Sequence, residues 1–211
     1  MPRIDVSLYV IVDRDIERAC PLEDFTKEVI AGGATCLQLR AKHESARGIL
    51  ELAGRLIAVA RPMGVPLIVN DRLDLALVAG ADGVHLGEDD LPVREARRIG
   101  GPALVIGASA SGLEAALRAE GEGADYVGVG PIFPTPSKPE AEVIAPGALA
   151  AVRRGISLPI VAIGGINEAN LGIPLGEGAD GIAVISALRQ CLSPGEVAAR
   201  LKTAIAKSKK R

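Results

Sequence analysis

Eight short runs of β-branched and small apolar residues recur along the chain: LYVIV (8–12), TCLQL (35–39), PLIVN (66–70), GVHL (83–86), ALVIG (103–107), YVGVG (126–130), PIVAI (159–163) and GIAVI (181–185). Segments between them, such as 44–61 and 112–124, return Leu, Ile and Ala every three or four residues, the period of an amphipathic helix. A glycine-bearing triplet precedes four of the runs: Gly32-Gly33-Ala34, Gly80-Ala81-Asp82, Gly123-Ala124-Asp125 and Gly178-Ala179-Asp180. Glycine there can adopt the left-handed conformation that ends a helix, so the triplets mark a repeated strand-helix unit. Eight units in 211 residues allow about 26 each (211/8), which suits a (β/α)8 barrel. An open doubly wound sheet would need fewer strands, and no G-x-G-x-x-G follows the first run. The expected fold is therefore α/β, a single-domain (β/α)8 TIM barrel over residues 1–211.

Composition narrows the function. With 48% apolar residues and no Ser-, Pro- or charge-rich linker, the chain can bury one sizeable core. Its 24 Lys plus Arg against 26 Asp plus Glu give a net charge of -2, without a basic face or an aromatic stacking platform, so nucleic acid is not an expected partner. Asp5 and Asp13 interrupt the opening residues, and no run approaches the roughly 18 apolar residues of a membrane span. A soluble, cytoplasmic protein with no membrane partner is expected. Cys20, Cys36 and Cys191 are far apart and lack zinc-ligand spacing, so they read as idle thiols. The closing KSKKR reads as a solvated helix end or frayed tail.

In such a barrel the chemistry gathers where the strands end. After the second run, Gln38, Arg40 and Lys42 alternate with shorter residues and can point one way, favouring an anionic ligand over a merely solvated rim. The third run ends in Asn70-Asp71 and the fourth in Glu88-Asp89-Asp90. Asp71 or Asp90 alone could be a helix N-cap, but acids at adjacent strand ends beside cations are also how proteins hold Mg²⁺ against a polyphosphate. His85 reads as a satisfied interior histidine rather than a base. Ser109, ending Gly107-Ala108-Ser109, could be a cap or a ligand contact. The sixth run leads into PIFPTPSKP, a proline-stiffened turn whose Thr135, Ser137 and Lys138 offer hydroxyls and an ammonium to phosphate, although they are also ordinary turn residues. Gly164-Gly165 and Ile185-Ser186 follow the last two runs, where such barrels commonly bind phosphate. Two anion sites flanking an acidic metal site suit two phosphorylated small-molecule substrates.

Taken together, QLRAK, NDRLDLAL, GVHLGEDDLP, GAS, GADYVGVGPIFPTPSK, and AIGGI followed by GIAVIS resemble the thiamine-phosphate synthase family over nearly the whole chain. The resemblance implies a Mg²⁺-dependent transferase that joins a pyrimidine diphosphate to a thiazole phosphate and releases pyrophosphate. It implies that Gln38, Arg40, Lys42, Asn70 and Lys138 hold the pyrimidine diphosphate, Asp71 and Asp90 bind Mg²⁺, and Ser109 contacts the leaving pyrophosphate. Thr135, Ser137, Gly165, Ile185 and Ser186 would hold the thiazole phosphate; Arg40, Lys42, Lys138 and Ser109 carry the expected catalytic roles. Two positions depart from the family pattern: Glu88 stands where Gln is usual, and Ser137 where Thr is usual. Glu88 adds a negative charge beside the metal site. Two other readings compete. A thiazole tautomerase of the same superfamily would need a histidine where this chain has Ser111, and a non-catalytic phosphate sensor would not need the acidic pair.

Overall fold

A computed structural model describes residues 4–135, 142–189 and 191–208. Eight parallel strands close into a barrel in which each pairs with its sequence neighbours and the last returns to the first. They are β1 (Leu8–Val12), β2 (Cys36–Leu39), β3 (Leu67–Asn70), β4 (Gly83–Leu86), β5 (Val105–Ala110), β6 (Tyr126–Val129), β7 (Ile160–Ile163) and β8 (Gly181–Val184). Around them run α1 (Leu22–Ala31), α2 (Ala46–Ala60), α3 (Leu73–Ala79), α4 (Val93–Gly100), α5 (Leu113–Glu122), α6 (Ala148–Gly155), α7 (Gly172–Gly176), α8 (Ser186–Arg189) and α9 (Pro194–Ser208). The barrel expected from the eight apolar runs is thus the observed fold, with β1 and β4 bounded as read.

The strands are mostly apolar because both of their faces are largely buried. Leu8, Val10 and Val12 of β1 pack outward into the layer shared with the helices. Tyr9 and Ile11, between them, turn inward and join Cys36, Ile68, Val105, Tyr126, Val161 and Ala183 in the barrel interior. β5 departs most from expectation, beginning two residues later and continuing to Ala110. Gly101, at φ 71, and Pro102 first make a turn. The Arg97 side chain then takes the Gly101 and Leu104 carbonyls at 2.8 and 2.6 Å, so these groups are spent before the ladder starts. Ser109 consequently lies inside a strand rather than beyond one.

The glycine triplets have a common physical role at the opposite end of the barrel. Gly80, Gly123 and Gly178 adopt φ of 66, 95 and 103°, and the next residue's N–H donates five residues back to Ala76, Ala119 and Pro174. The aspartate that follows makes two bonds to one strand residue. Asp82, Asp125 and Asp180 donate their N–H groups to the carbonyls of Leu67, Ile106 and Ile160, and their carboxylates accept the N–H groups of the same residues. In the first repeat the motif sits one residue later than the sequence suggested. Gly33, at φ 104, carries the positive φ, Ala34 donates to Val29, and Thr35 bonds both N–H and carbonyl of Leu8. Asp125 is further held by Arg97 at 2.6 Å, with its side chain 2% exposed. Arg97→Ala removes that cation and uncaps three carbonyls, at a cost of about 3 kcal/mol, or ~10 °C in Tm. Calorimetry checks this; a shift under about 2 °C would mean the clamp holds without its arginine.

Candidate active site

The C-terminal ends of the strands open on a cavity of about 630 Å³. Gln38, 3% exposed, comes from β2, with Arg40 and Lys42 just past its end. β3 contributes Asn70 and then Asp71, the loop after β4 Asp90, and β5 Ser109. Thr135 lines the cavity from the loop after β6, Gly165 from the loop after β7, and Ile185 and Ser186 from the end of β8. All the expected site residues that are described therefore meet in one place; Ser137 and Lys138 lie outside the described residues. A second hollow of about 800 Å³ sits at the other end of the barrel. Its Thr35 and Asp82 are the clamp groups bonded to Leu8 and Leu67, so it is a by-product of the turns there.

The acidic pair is not a pair of helix caps. The N-cap positions of α3 and α4 are Arg72 and Pro92, neither of which makes a side-chain capping bond. Asp71 instead occupies the left-handed region at φ 64, the one non-glycine residue among those described to do so, pinned by its N–H on the His85 carbonyl at 2.8 Å. Such a conformation in a non-glycine residue stores strain, and strained residues concentrate where geometry serves function. Burial pushes the Asp71 carboxyl up to about 6, and a hydrogen-bonded approach to the Asp90 carboxyl adds to that rise. Lys42, 3.9 Å away, and Arg40 oppose it. One oxygen of Asp90 accepts the Gly87 N–H at 2.7 Å, fixing the loop that carries it.

Ser109 is likewise no cap, since the N-cap position of α5 is Gly112. Its hydroxyl lies 3.1 Å from His85 Nε2, and His85 Nδ1 lies 3.1 Å from the Tyr126 hydroxyl. His85 is thus the satisfied interior histidine the sequence suggested, and burial lowers its pKa to about 4. Tyr126 continues to Tyr9 at 2.7 Å, and Gln38 Nε2 donates to Tyr9 at 3.0 Å. Gly107 makes room for this chain, because a Cβ there would run into the Tyr126 ring. Tyr9 and Tyr126 escaped the sequence reading since each stands in an apolar run where tyrosine is an ordinary strand former.

On the opposite wall, Gly164 and Gly165 take φ of 99 and 63°. A Cβ on Gly165 would lie 2.6 Å from the Pro134 carbonyl oxygen, so the two loops approach backbone to backbone. Glu88, the departure from the family pattern, accepts the Ser111 N–H at 2.8 Å and ties the loops after β4 and β5 together. The cavity thus sets cations and an acidic pair, with Asp71 strained, against a glycine-lined wall, an arrangement suited to ligands carrying phosphate.

Comparison with known proteins agrees. Residues 8–188 match the family model described as thiamine monophosphate synthase. The thiamine-phosphate synthase of Chloroflexus aurantiacus is 50% identical over 186 residues, covering 88% of this chain and 86% of that protein. The thiamine-phosphate synthase of Methanoculleus marisnigri is 47% identical over 201 residues, with 93% and 92% covered. A solved structure, the thiamine phosphate pyrophosphorylase from Pyrococcus furiosus, superposes with a TM-score of 0.87 at 39% identity over 97% of each chain. By family model, sequence and structure alike, the chain belongs to the thiamine monophosphate synthase family.

Proposed function

We propose that the chain is a transferase that joins 4-amino-2-methyl-5-(diphosphooxymethyl)pyrimidine to 4-methyl-5-(2-phosphooxyethyl)thiazole, giving thiamine phosphate and pyrophosphate. The observation that carries this reading is the family match over a cavity whose two walls each suit one phosphorylated partner. The bond from the pyrimidine methylene to the diphosphate oxygen breaks, and the thiazole nitrogen supplies the electron pair for the new carbon–nitrogen bond. Gln38 and Asn70 bind and orient the pyrimidine half. Arg40 and Lys42, with Lys138 as the family resemblance implies, stabilise negative charge growing on the departing diphosphate. Ser109 donates a hydrogen bond to it. Thr135, Ser137, Gly165, Ile185 and Ser186 hold the thiazole phosphate, so the main contribution of the barrel is alignment. No side-chain nucleophile is required.

Asp71 and Asp90 would hold Mg²⁺, whose charge offsets that of the diphosphate. The donor set fits. Two carboxylates close enough to raise the Asp71 pKa are relieved by a divalent cation between them. Among the described residues no cluster of three His, Cys, Asp or Glu could enclose a metal. Mg²⁺ suits such an open pair, since it commonly takes one or two carboxylates and completes its shell with water and substrate phosphate. A cytoplasmic location belongs to the same reading; no helix among the described residues is long and apolar enough to cross a membrane.

Pyrophosphate release, measured by a coupled assay with both substrates, with and without Mg²⁺, tests the proposal. A sensor would release none. The two-wall assignment has its own test in Ser186→Asp, which sets a charge against the thiazole phosphate. Its KM for the thiazole should rise at least about tenfold while that for the pyrimidine changes little. Equal rises would mean that the walls are misassigned.

A further inference from the structure

The polar chain through the barrel interior has a direction. Gln38 Nε2 donates to the Tyr9 oxygen, which favours the Tyr9 proton going to Tyr126 at 2.7 Å. The Tyr126 oxygen then accepts, and its own proton goes to His85 Nδ1 at 3.1 Å. An Nδ1 that accepts leaves the proton of a neutral imidazole on Nε2, 3.1 Å from Ser109 Oγ. Ser109 accepts that proton's hydrogen bond, so its own hydroxyl proton is left for an acceptor in the cavity. We propose that Tyr9, Tyr126 and His85 are positioning residues: a one-way hydrogen-bond relay from Gln38 that fixes the His85 Nε2–H tautomer and so holds Ser109 as a donor toward a diphosphate leaving group.

Several features support this. All five members of the relay line the cavity, yet Tyr9 and Tyr126 are only 2% and 1% exposed. That low exposure leaves the two hydroxyls bonded to protein partners rather than to bulk water, and low polarity around them strengthens each bond through its neighbours. Burial keeps both tyrosines protonated, and each His85 ring nitrogen has a single hydroxyl partner among the described residues, at 3.1 Å, as a relay of single protons requires. The reverse order would make Ser109 donate to His85 and present only lone pairs to an anion. Gln38, which the proposed function assigns to pyrimidine binding, is also the group that sets the order. Occupation of the pyrimidine pocket and readiness of the leaving-group donor are thus coupled through the three side chains of Tyr9, Tyr126 and His85, without movement of the backbone.

The inference rests on the proposed role of Ser109, and its test separates the two. The chain has two histidines, so ¹⁵N-histidine labelling gives two sets of ring resonances, and His43→Gln identifies that of His85. The expected spectrum of the full-length protein has a protonated Nε2 and an unprotonated Nδ1 between about pH 6 and 8. Tyr126→Phe should mix the tautomers and lower kcat at least about tenfold, with the KM for the thiazole phosphate changed less than about twofold. A purely structural tyrosine would lower the melting temperature but leave the tautomer unmixed. A singly protonated Nδ1 in the unmodified protein would overturn the relay, as would full kcat in a folded Tyr126→Phe whose tautomers have mixed. If that variant does not fold, the tautomer of the unmodified protein decides alone. Absence of pyrophosphate release by the unmodified protein would sink the synthase reading instead, and the tautomer would still report the direction of the relay.

Discussion

Asp71→Asn and Asp90→Asn should each abolish most Mg²⁺-dependent turnover, by about 10²-fold or more, and the double variant should be scarcely worse than either single one. On the proposed reading, two carboxylates from neighbouring strand ends would share a cation that neither holds well alone, so losing one would already forfeit the shared site. Helix caps would behave differently, each costing on the order of 1 kcal/mol of stability, roughly additively, with activity kept. The cap positions at Arg72 and Pro92 leave no structural basis for that alternative. Mg²⁺ titrations of the three variants decide it: single variants that keep turnover with unchanged Mg²⁺ dependence would remove the metal site.

Stability should move the opposite way from activity at Asp71. Its folded pKa, about 6, lies above the ordinary 3.8, so the native state holds this proton more tightly than the unfolded chain does. The resulting stability is fully present below pH ~3.8 and is lost as pH rises through about 6. At neutral pH without metal, Asp71 is therefore a charge the fold tolerates at a cost. Asparagine removes it and also accepts a left-handed backbone readily. Metal-free Asp71→Asn should melt no lower than the unmodified protein at pH ~8, and a difference in its favour should shrink as pH falls below about 6. A clear drop in Tm at pH ~8 would show that the carboxylate is structural.

What the sequence disclosed and what it concealed divide along one line: patterns local to a strand end were legible, and contacts across the barrel were not. Asp71 and Asp90 stood out because acids at adjacent strand ends beside cations such as Arg40 and Lys42 are how proteins hold Mg²⁺ against a polyphosphate. Gly80, Gly123 and Gly178 stood out because a left-handed helix end demands glycine, whereas the double bond each following aspartate makes to its strand became visible only in three dimensions. Ser109 was ambiguous because a serine after two small residues resembles a cap, whereas β5 runs on past Gly107 to Ala110 and so includes it. Tyr9 and Tyr126 lie 117 residues apart, yet their hydroxyls meet. The available hints were weak: these are the chain's two tyrosines, both on inward strand positions, with Gly107 clearing space for a ring.

Lys42→Met should lower kcat/KM by about 10²-fold and also move the acid limb of its pH profile upward. The two effects have one source. Lys42 Nζ lies 3.9 Å from Asp71 Oδ2 on the wall assigned to the diphosphate, so its charge acts on both groups. Toward the leaving group, in the proposed reaction, it would stabilise developing negative charge, and methionine keeps the length of the side chain while removing that charge. Toward Asp71 it lowers a pKa that burial and Asp90 raise. Without it, Asp71 should titrate above about 6 and stay protonated further toward neutrality, where a protonated carboxyl is a poor ligand for Mg²⁺. The apparent Mg²⁺ affinity should then fall on the acid side first, and a higher Mg²⁺ concentration should pull the limb back, because metal and proton compete for one oxygen pair. Lys42→Arg keeps the charge and should leave the limb in place while losing part of kcat/KM, since a guanidinium presents that charge in a different shape. A lysine that only bound diphosphate would depress the whole profile evenly. Profiles of kcat/KM at two Mg²⁺ concentrations distinguish these cases, and a limb that stays put in Lys42→Met would break the link between the cation and the acidic pair.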